Sequence, residues 1–173
     1  MQKGFVTFEI ILVTFAFALL MSVAVPNAAK ILDKASLDYE TKRLYSELRF
    51  LQAFDRSGTV DTNCMGGSFK WHPETRVAAL IMDRASTPNS WKVMSEPGYY
   101  GKLIRPEHIL RNGETISFTN DNLHQISFDS TGQPKNINAK AYNGTIILTS
   151  LNKKNSSVII INTVGRILLG ANK

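Results

Sequence analysis

Glu9 is an acidic residue in an apolar sequence. It lies near the start of the otherwise largely apolar run FVTFEIILVTFAFALLMSVAV. The cost of a carboxyl side chain at a helix centre in a bilayer is roughly 2.5 to 3.5 kcal/mol for Asp, and it is lower near a helix end. A cation at the same depth would attract the carboxylate strongly, since each ion alone is poorly solvated there. Glu9 is therefore a candidate for a functional ion pair. The alternative is a side chain close enough to the membrane surface to reach water.

Outside this run, the sequence contains none of the residue patterns that enzymes use. The histidines, His72, His108 and His124, are far apart, and none belongs to a pair with metal-ligand spacing. The glycines of MGGSF (65–69) lack the lysine and the helix of a phosphate loop. Cys64 is the only cysteine, which excludes an internal disulfide and a cysteine-based metal cluster. We expect no enzymatic activity, no cofactor and no metal.

The apolar run is long enough to cross a membrane as a helix. Phe5 to Val25 spans 21 residues, which corresponds to roughly 30 Å at 1.5 Å per residue. Lys3 precedes the run and favours a cytoplasmic N-terminus, with the rest of the chain on the far side. A removable secretory signal with a cleavage site near SVA (22–24) and a plain signal anchor are two interpretations. Neither accounts for Glu9.

A third interpretation depends on the stretch KGFVTFE (3–9). It resembles the type III signal sequence of type IV pilins and type II secretion pseudopilins, in which a membrane-embedded prepilin peptidase cuts after the Gly and methylates the new N-terminal Phe. The resemblance implies that Gly4 ends a leader peptide and that Phe5 is the methylated first residue. It also implies that Glu9 is the assembly glutamate of the family.

Two further positions bear on this resemblance. Pro26 falls where many members of the family have a proline that bends or loosens the helix. Val6 departs from the family pattern, which usually has Thr or Ser directly after the Phe, whereas here Thr7 comes one place later. The implied organisation is a leader at 1–4 and a transmembrane helix at 5–25.

Cleavage before Phe5 would provide a cationic partner for Glu9. The new ammonium group and Glu9 are at positions i and i+4, so they share one helix face a turn apart. If helices pack with a stagger of one subunit, Glu9 of one helix can pair with the amine of its neighbour. The carboxylate then disfavours the isolated anchor and favours the assembled bundle.

The helical pattern continues beyond Pro26, which we expect to kink the helix rather than end it. Leucines recur at helical spacing in AKILDKASLDYETKRLYSELRFLQAFDRSG (29–58), and charged residues occupy the other face. The predicted stripe consists of Leu37, Leu44, Leu48 and Leu51, with Ile31, Tyr45 and Phe54 on or beside it. We predict an amphipathic continuation at 26–57 that ends at Ser57-Gly58. A coiled coil is an alternative use of the stripe, although the stripe is short for one.

From residue 58 onward, short apolar runs alternate with Gly, Pro, Asn and Ser, which is typical of an antiparallel sheet system. The predicted strands are 68–71, 77–83, 91–94, 115–118, 125–128, 145–149, 157–161 and 166–169. The amphipathic stripe is the natural packing partner of such a sheet. We therefore predict an α+β fold, in which a long bent N-terminal helix packs on a mainly antiparallel β-sheet head at 58–173.

The head carries a second resemblance. ISFDSTGQP (126–134) and VIIINTVGRILLG (158–170) look like the GspH/FimT branch of minor pilins, which tends to have an Ile-x-Phe segment followed by Gly and, later, a strand that turns through Gly-Arg. Gly165 and Arg166 also have a structural interpretation as a turn glycine and a solvent-facing arginine. In competence-linked members, a second arginine follows two places after the Gly-Arg, and the loop can bind DNA. Leu168 stands at that position here.

The net charge of +6 comes from the C-terminal quarter, because residues 130–173 contain six basic side chains and no acidic one. These residues are Lys135, Lys140, Lys153, Lys154, Arg166 and Lys173. They form a possible surface for an anionic partner, including DNA. The simpler interpretation is that they are solvated lysines on loops and sheet edges, where they discourage aggregation.

Three functions are compatible with these observations. The first is a minor pilin or pseudopilin subunit of a type II secretion or type IV pilus-like filament. Its partners would be prepilin peptidase, other pilin subunits, an inner-membrane assembly platform and lipid, and its single helix would span the inner membrane. The second is a competence-type minor pilin that binds DNA. The third is a signal-anchored or secreted β domain with an unknown ligand.

Overall fold

The computed structural model describes residues 3–57, 78–83, 89–95, 103–110, 112–119, 125–135 and 143–170. The chain forms two compact units, Met1–Ser36 and Leu37–Lys173. The secondary structure consists of one helix and nine strands within the described residues: α1 (Lys3–Ser57), β1 (Ala78–Asp83), β2 (Ser90–Ser95), β3 (Leu103–Ile109), β4 (Thr115–Phe118), β5 (Gln125–Phe128), β6 (Pro134–Lys135), β7 (Gly144–Thr149), β8 (Ser156–Ile161) and β9 (Ile167–Leu169). The predicted domain boundaries at 4, 25 and 57 stay predictions.

α1 confirms the predicted long helix. It continues through Pro26 and ends at Ser57, where the sequence has a glycine next. Its hydroxyl groups bond to the helix itself, with Thr14 Oγ1 3.0 Å from the carbonyl oxygen of Ile10 and Ser22 Oγ 2.7 Å from that of Leu19. The helix thus needs no external partner for these groups. The kink at Pro26 stays a prediction.

The strands form two antiparallel sheets. One has five strands in the order β3-β2-β1-β5-β6, and the other has four in the order β4-β7-β8-β9. Seven of the eight predicted strands are confirmed as β1, β2, β4, β5, β7, β8 and β9. The predicted strand at 68–71 lies outside the described residues. The fold is therefore α+β, with a long N-terminal helix packed on antiparallel sheets.

Two strands were not predicted from the sequence. β3 contains Pro106 and three charged or titratable residues, and it is at the edge of its sheet, where a proline costs no ladder hydrogen bond on the open side. β6 has only two residues and follows β5 after a tight turn. Neither strand has the apolar alternation that identifies a strand from sequence, because β3 is mostly exposed and β6 is only two residues long.

The core lies between the leucine stripe of α1 and the two sheets. Leu37, Leu44, Leu48 and Leu51 are buried together with Trp91 and other side chains from both sheets. Tyr45 and Phe54 are partly buried against this core, as predicted. The sheets cover the stripe, so it is not available for a coiled coil. Ile31 was wrongly placed with the stripe: it is exposed, because it lies in the unit that precedes Leu37.

Candidate functional site

The N-terminal segment of α1 holds the residues predicted to be processed and to assemble. The helix begins at Lys3 and therefore includes Gly4 and Phe5, with Glu9 exposed one turn after Phe5. The large apolar side chains that follow, through Val25, are also exposed. By length and composition α1 can cross a membrane, and its most apolar stretch is not buried within the structure, although a signal sequence has the same features. The roles of Gly4, Phe5 and Glu9 stay predictions.

In the head, Gln52 of α1 joins two turns that are separated in the sequence by 28 residues, 134–161. The first turn, Asp129–Gln133, follows β5, and the second, Asn162–Arg166, follows β8. Gln52 Nε2 donates to the carbonyl oxygens of Gly132, at 3.0 Å, and Gly165, at 2.7 Å. Gln52 is buried, so these two hydrogen bonds replace those it would make with water.

The two turns touch at their glycines. Gly132 and Gly165 have φ angles of 83° and 81°, a conformation that favours glycine. A Cβ on Gly165 would overlap the carbonyl oxygen of Gly132, so a side chain there is excluded by space as well as by backbone conformation. The interpretation of Gly165 as a turn glycine is confirmed, and Arg166 is exposed. The structure thus brings together the two segments that carry the head resemblance.

Asp55 of α1 connects the helix to two strands of the five-stranded sheet by hydrogen bonds. Its carboxylate accepts hydrogen bonds from the backbone N–H of Ala78, at 2.8 Å, and of Phe128, at 2.9 Å. β1 and β5 pair through Leu80 and Ile126, so Ala78 and Phe128 lie just beyond the end of that ladder. A buried helix carboxylate therefore bonds the N–H groups where strand pairing stops. Hydrogen bonds to a charged group contribute about 1.5 to 3 kcal/mol each.

Gln52 and Asp55 were not predicted from the sequence as contact residues, although a signal was present. Gln52 is four residues after Leu48, and Asp55 is four residues after Leu51, so both continue the buried stripe. A polar residue at a stripe position is buried only when it has hydrogen-bond partners. The pattern marks them as contacts between the helix and the head, but their partners depend on the tertiary structure.

Asp129 organises the first turn. Its Oδ1 accepts hydrogen bonds from the N–H and the hydroxyl of Thr131 and from the N–H of Gln133, and Lys135 Nζ lies 3.3 Å from Oδ2. Burial alone would raise the pKa of Asp129, but the hydrogen bonds and the Lys135 ammonium outweigh it and hold the pKa below its usual value. Lys135 is therefore engaged within the turn.

Three of the other predicted basic residues lie in the turns at the two ends of β8. Lys153 and Lys154 are exposed in the turn before this strand, and Arg166 is exposed in the turn after it. A six-residue strand spans about 20 Å, so these residues lie at opposite ends of the four-stranded sheet. Lys140 and Lys173 lie outside the described residues. The predicted anionic-partner surface stays a prediction.

His108 makes structural contacts. Its Nε2 lies 2.6 Å from Oε2 of Glu40, and its ring packs on Trp91 with 4.4 Å between centroids. Within the described ranges, no group of three His, Cys, Asp or Glu side chains is placed to hold a metal ion. His72, His124 and Cys64 lie outside those ranges.

These features define a pilin-like α+β fold, in which the second half of one long helix is an integral layer of the head. A solved structure with this architecture is the minor pseudopilin EpsH from the type 2 secretion system of Vibrio cholerae. The likeness covers 79% of this chain and 97% of that chain, with a TM-score of 0.53 and 9% sequence identity, and it shows the fold. No protein-family model and no curated protein matches the chain.

Proposed function

We propose that this chain is a minor pilin or pseudopilin subunit of a type II secretion or type IV pilus-like filament. The observation that carries the proposal is one helix with two different halves. The first is apolar on all sides, exposed and interrupted by Glu9, and the second packs into a head with the fold of a minor pseudopilin. A membrane anchor joined directly to a packed head suits a subunit that leaves the bilayer as part of a helical bundle.

In this proposal, prepilin peptidase removes residues 1–4 and methylates Phe5. Before assembly, the single helix spans the inner membrane with its N-terminus in the cytoplasm and its head outside. The ammonium of Phe5 and the carboxylate of Glu9 on neighbouring subunits then pair at membrane depth, where the attraction between opposite charges is strong. An inner-membrane platform would supply the docking site for assembly.

The role is structural rather than catalytic. Two buried polar groups of the described head, Gln52 and Asp55, bond to backbone groups of turns and strands, and a third, Glu40, bonds to His108. Such groups hold a scaffold together and are not free to bind a substrate. The work of assembly would come from a separate motor.

Mass spectrometry of the mature N-terminus tests this function. The protein is purified from membranes of cells that contain or lack the prepilin peptidase, and its N-terminal peptide is sequenced. We expect an N-methylated Phe5 only when the peptidase is present. A start at Met1 in both strains, or a cut near Ala24, would overturn the proposal in favour of a signal anchor or a secreted domain.

A further inference from the structure

Three arginines surround the two turns that Gln52 joins, and we call Arg49, Arg56 and Arg166 the arginine cluster. Arg49 and Arg56 are seven residues apart on α1, so they lie on one helix face about two turns apart. Arg49 Nη2 donates to the carbonyl oxygen of Ile167, at 3.2 Å, and Arg56 Nη2 donates to that of Thr131, at 3.1 Å. Arg56 is thereby held against the first turn, and Arg49 against the start of β9, directly after the second turn.

Arg166 completes the cluster from the second turn. The carbonyl groups on either side of it, those of Gly165 and Ile167, accept hydrogen bonds from Gln52 and Arg49. Its backbone is therefore attached to the same face of α1, while its side chain is exposed. The cluster combines a helix and a turn that are more than a hundred residues apart in sequence.

The charges of the cluster have no acidic counterpart within the described part of the chain. The ion pairs found there involve Lys42, Arg105, His108 and Lys135 and none of these three arginines. Asp129, the carboxylate of the first turn, is occupied by Lys135, Thr131 and Gln133. Arg49 also donates to the hydroxyl of Tyr45, at 3.1 Å, and to Oε1 of Gln52, at 3.3 Å. All these partners of Arg49 and Arg56 are neutral, so they orient the guanidinium groups without neutralising their charge.

Exposed apolar side chains accompany these charges. Val164 and Leu168, two residues before and after Arg166, are 63% and 51% exposed, and Leu169 and Ile160 are exposed beside them. β9 is the last strand in its sheet, and within the described residues it pairs with β8 alone. Arg49 bonds the carbonyl of Ile167 on the outer side of β9, so another chain would cover the exposed side chains of this strand rather than extend its ladder.

We propose that the arginine cluster and the outer edge of β9 form a docking surface for an extended protein segment that carries acidic and apolar side chains. Carboxylates would pair with the arginines, and apolar side chains would cover Val164 and Leu168. Arginine next to apolar side chains is typical of the energetic centre of protein interfaces, whereas nucleic-acid interfaces are more polar and more uniformly basic. Lys153 and Lys154, in the turn between β7 and β8, lie at the far end of the sheet. They are therefore not continuous with the arginine cluster as a basic surface for a nucleic acid.

This inference goes beyond the proposed filament function and does not depend on it. The surface lies in the head, whereas processing and assembly through the helix involve Gly4, Phe5 and Glu9. A failure of the N-terminal test therefore leaves this proposal standing, and the reverse also holds.

A binding measurement on the full chain in detergent tests the proposal. The probe is a fluorescent ten-residue peptide of alternating Val and Glu, and the comparison probes are the same peptide with Lys in place of Glu and a labelled 20-base-pair DNA duplex. Of the three probes, we expect only the Val-Glu peptide to bind saturably. No binding of that peptide, or tighter binding of the DNA in competition with it, would overturn the proposal.

Charge reversals locate the site. Arg166→Glu is expected to weaken binding of the Val-Glu peptide at least tenfold, because it replaces attraction with repulsion at the centre of the surface. Lys154→Glu is the matched control, since it makes the same change of charge at an exposed turn at the other end of β8, and we expect less than a twofold effect. Equal weakening by both variants would mean that net charge alone drives binding, which contradicts the proposal. Among the described residues, the side chain of Arg166 has no hydrogen-bond partner that its replacement would lose. Circular dichroism verifies the fold of each variant.

Leu168→Ser examines the apolar part of the surface without changing its charge. We expect this variant to weaken binding of the Val-Glu peptide fivefold or more, whereas an unchanged affinity would refute the β9 edge as part of the interface. Sedimentation of the full chain without peptide tests whether a second copy of this chain occupies the surface. We expect no self-association that depends on Arg166. If the chain self-associates and Arg166→Glu abolishes the association, the partner is a second copy and the proposed acidic segment is wrong.

Discussion

The two halves of α1 differ in what surrounds their apolar side chains. From Phe8 to Val25 the large apolar side chains are 49–67% exposed, whereas Leu37, Leu44, Leu48 and Leu51 are at most 2% exposed. The first half is apolar around its whole circumference, and the second is apolar along one stripe. A stripe can be buried by two sheets, but a fully apolar cylinder requires an apolar environment on every side. One helix thus satisfies two different requirements for burial.

The polar groups of the two halves follow the same division. In the first half, Thr14 and Ser22 bond to carbonyl groups of their own helix. In the second half, Gln52 and Asp55 bond to turns and strands of the head. Glu9 differs from both groups, because it is an exposed carboxylate in the apolar half, and in the proposed filament its partner would come from another subunit.

Leucine-to-alanine substitutions, one in each half of α1, should give the largest difference in stability between the two halves. Leu48→Ala is expected to lower the free energy of unfolding of the head by about 2 to 5 kcal/mol, because it leaves a cavity in the core. Leu20→Ala, at a side chain that is 67% exposed, is expected to change it by less than about 0.5 kcal/mol. Denaturant unfolding followed by tryptophan fluorescence measures both, because Trp91 is buried in the head. Equal losses would break the comparison.

Removal of the charge of Glu9 tests whether this carboxylate contributes to filament assembly. Glu9→Gln is expected to reduce incorporation into sheared filaments at least tenfold, because a carboxylate that pairs at membrane depth is replaced by a neutral amide. Head stability and membrane insertion should stay unchanged. Asp38→Asn is the control, since it removes a carboxylate whose pair with Lys42 is exposed. Filament incorporation of Glu9→Gln at the level of this control would contradict the assembly role.

A pair of glycine substitutions tests how much the contact between the two turns of the head contributes to stability. Gly165 and Gly113 both have positive φ, at 81° and 75°, so alanine is strained at either position. At Gly165 the added Cβ would meet backbone, whereas at Gly113 it would lie 2.6 Å from the end of the flexible, exposed Leu151 side chain. We expect Gly165→Ala to cost about 1 kcal/mol more than Gly113→Ala in unfolding free energy. Equal costs would show that contact between the two turns contributes little.

The smallest effect concerns the pH dependence of the first turn. The pKa of Asp129 is lowered in the folded state, so its contribution is complete above the usual pKa of an Asp and is lost as pH falls through the lowered value. We expect Asp129→Asn to reduce stability by less than about 1 kcal/mol at neutral pH, because its pair with Lys135 lies near the surface. The difference from the parent protein should shrink in acid. A difference that is constant across pH would contradict the role of the charge.

Much of the head could be predicted from sequence because its strands are apolar and separated by turn residues. β7 and β8 have this pattern and were predicted nearly to their ends. β3 could not be predicted, because Pro106 and its charged neighbours suit only an edge strand, and edge position is a property of the sheet order. The arginine cluster was missed for a similar reason, since the charge count drew attention to residues 130–173 while two of its members are on α1.

Local patterns alone determined the helix, its apolar and striped halves and the position of Glu9, because helical periodicity and hydrophobic length act over neighbouring residues. The tertiary structure decided which distant groups meet. Three contacts depend on how the sheets close over the helix: Gln52 with Gly132 and Gly165, Asp55 with the end of the β1–β5 ladder, and Arg49 with the carbonyl of Ile167. The physical reason is that a buried polar group needs a partner, and sequence shows the need at Gln52 and Asp55 but not the partner.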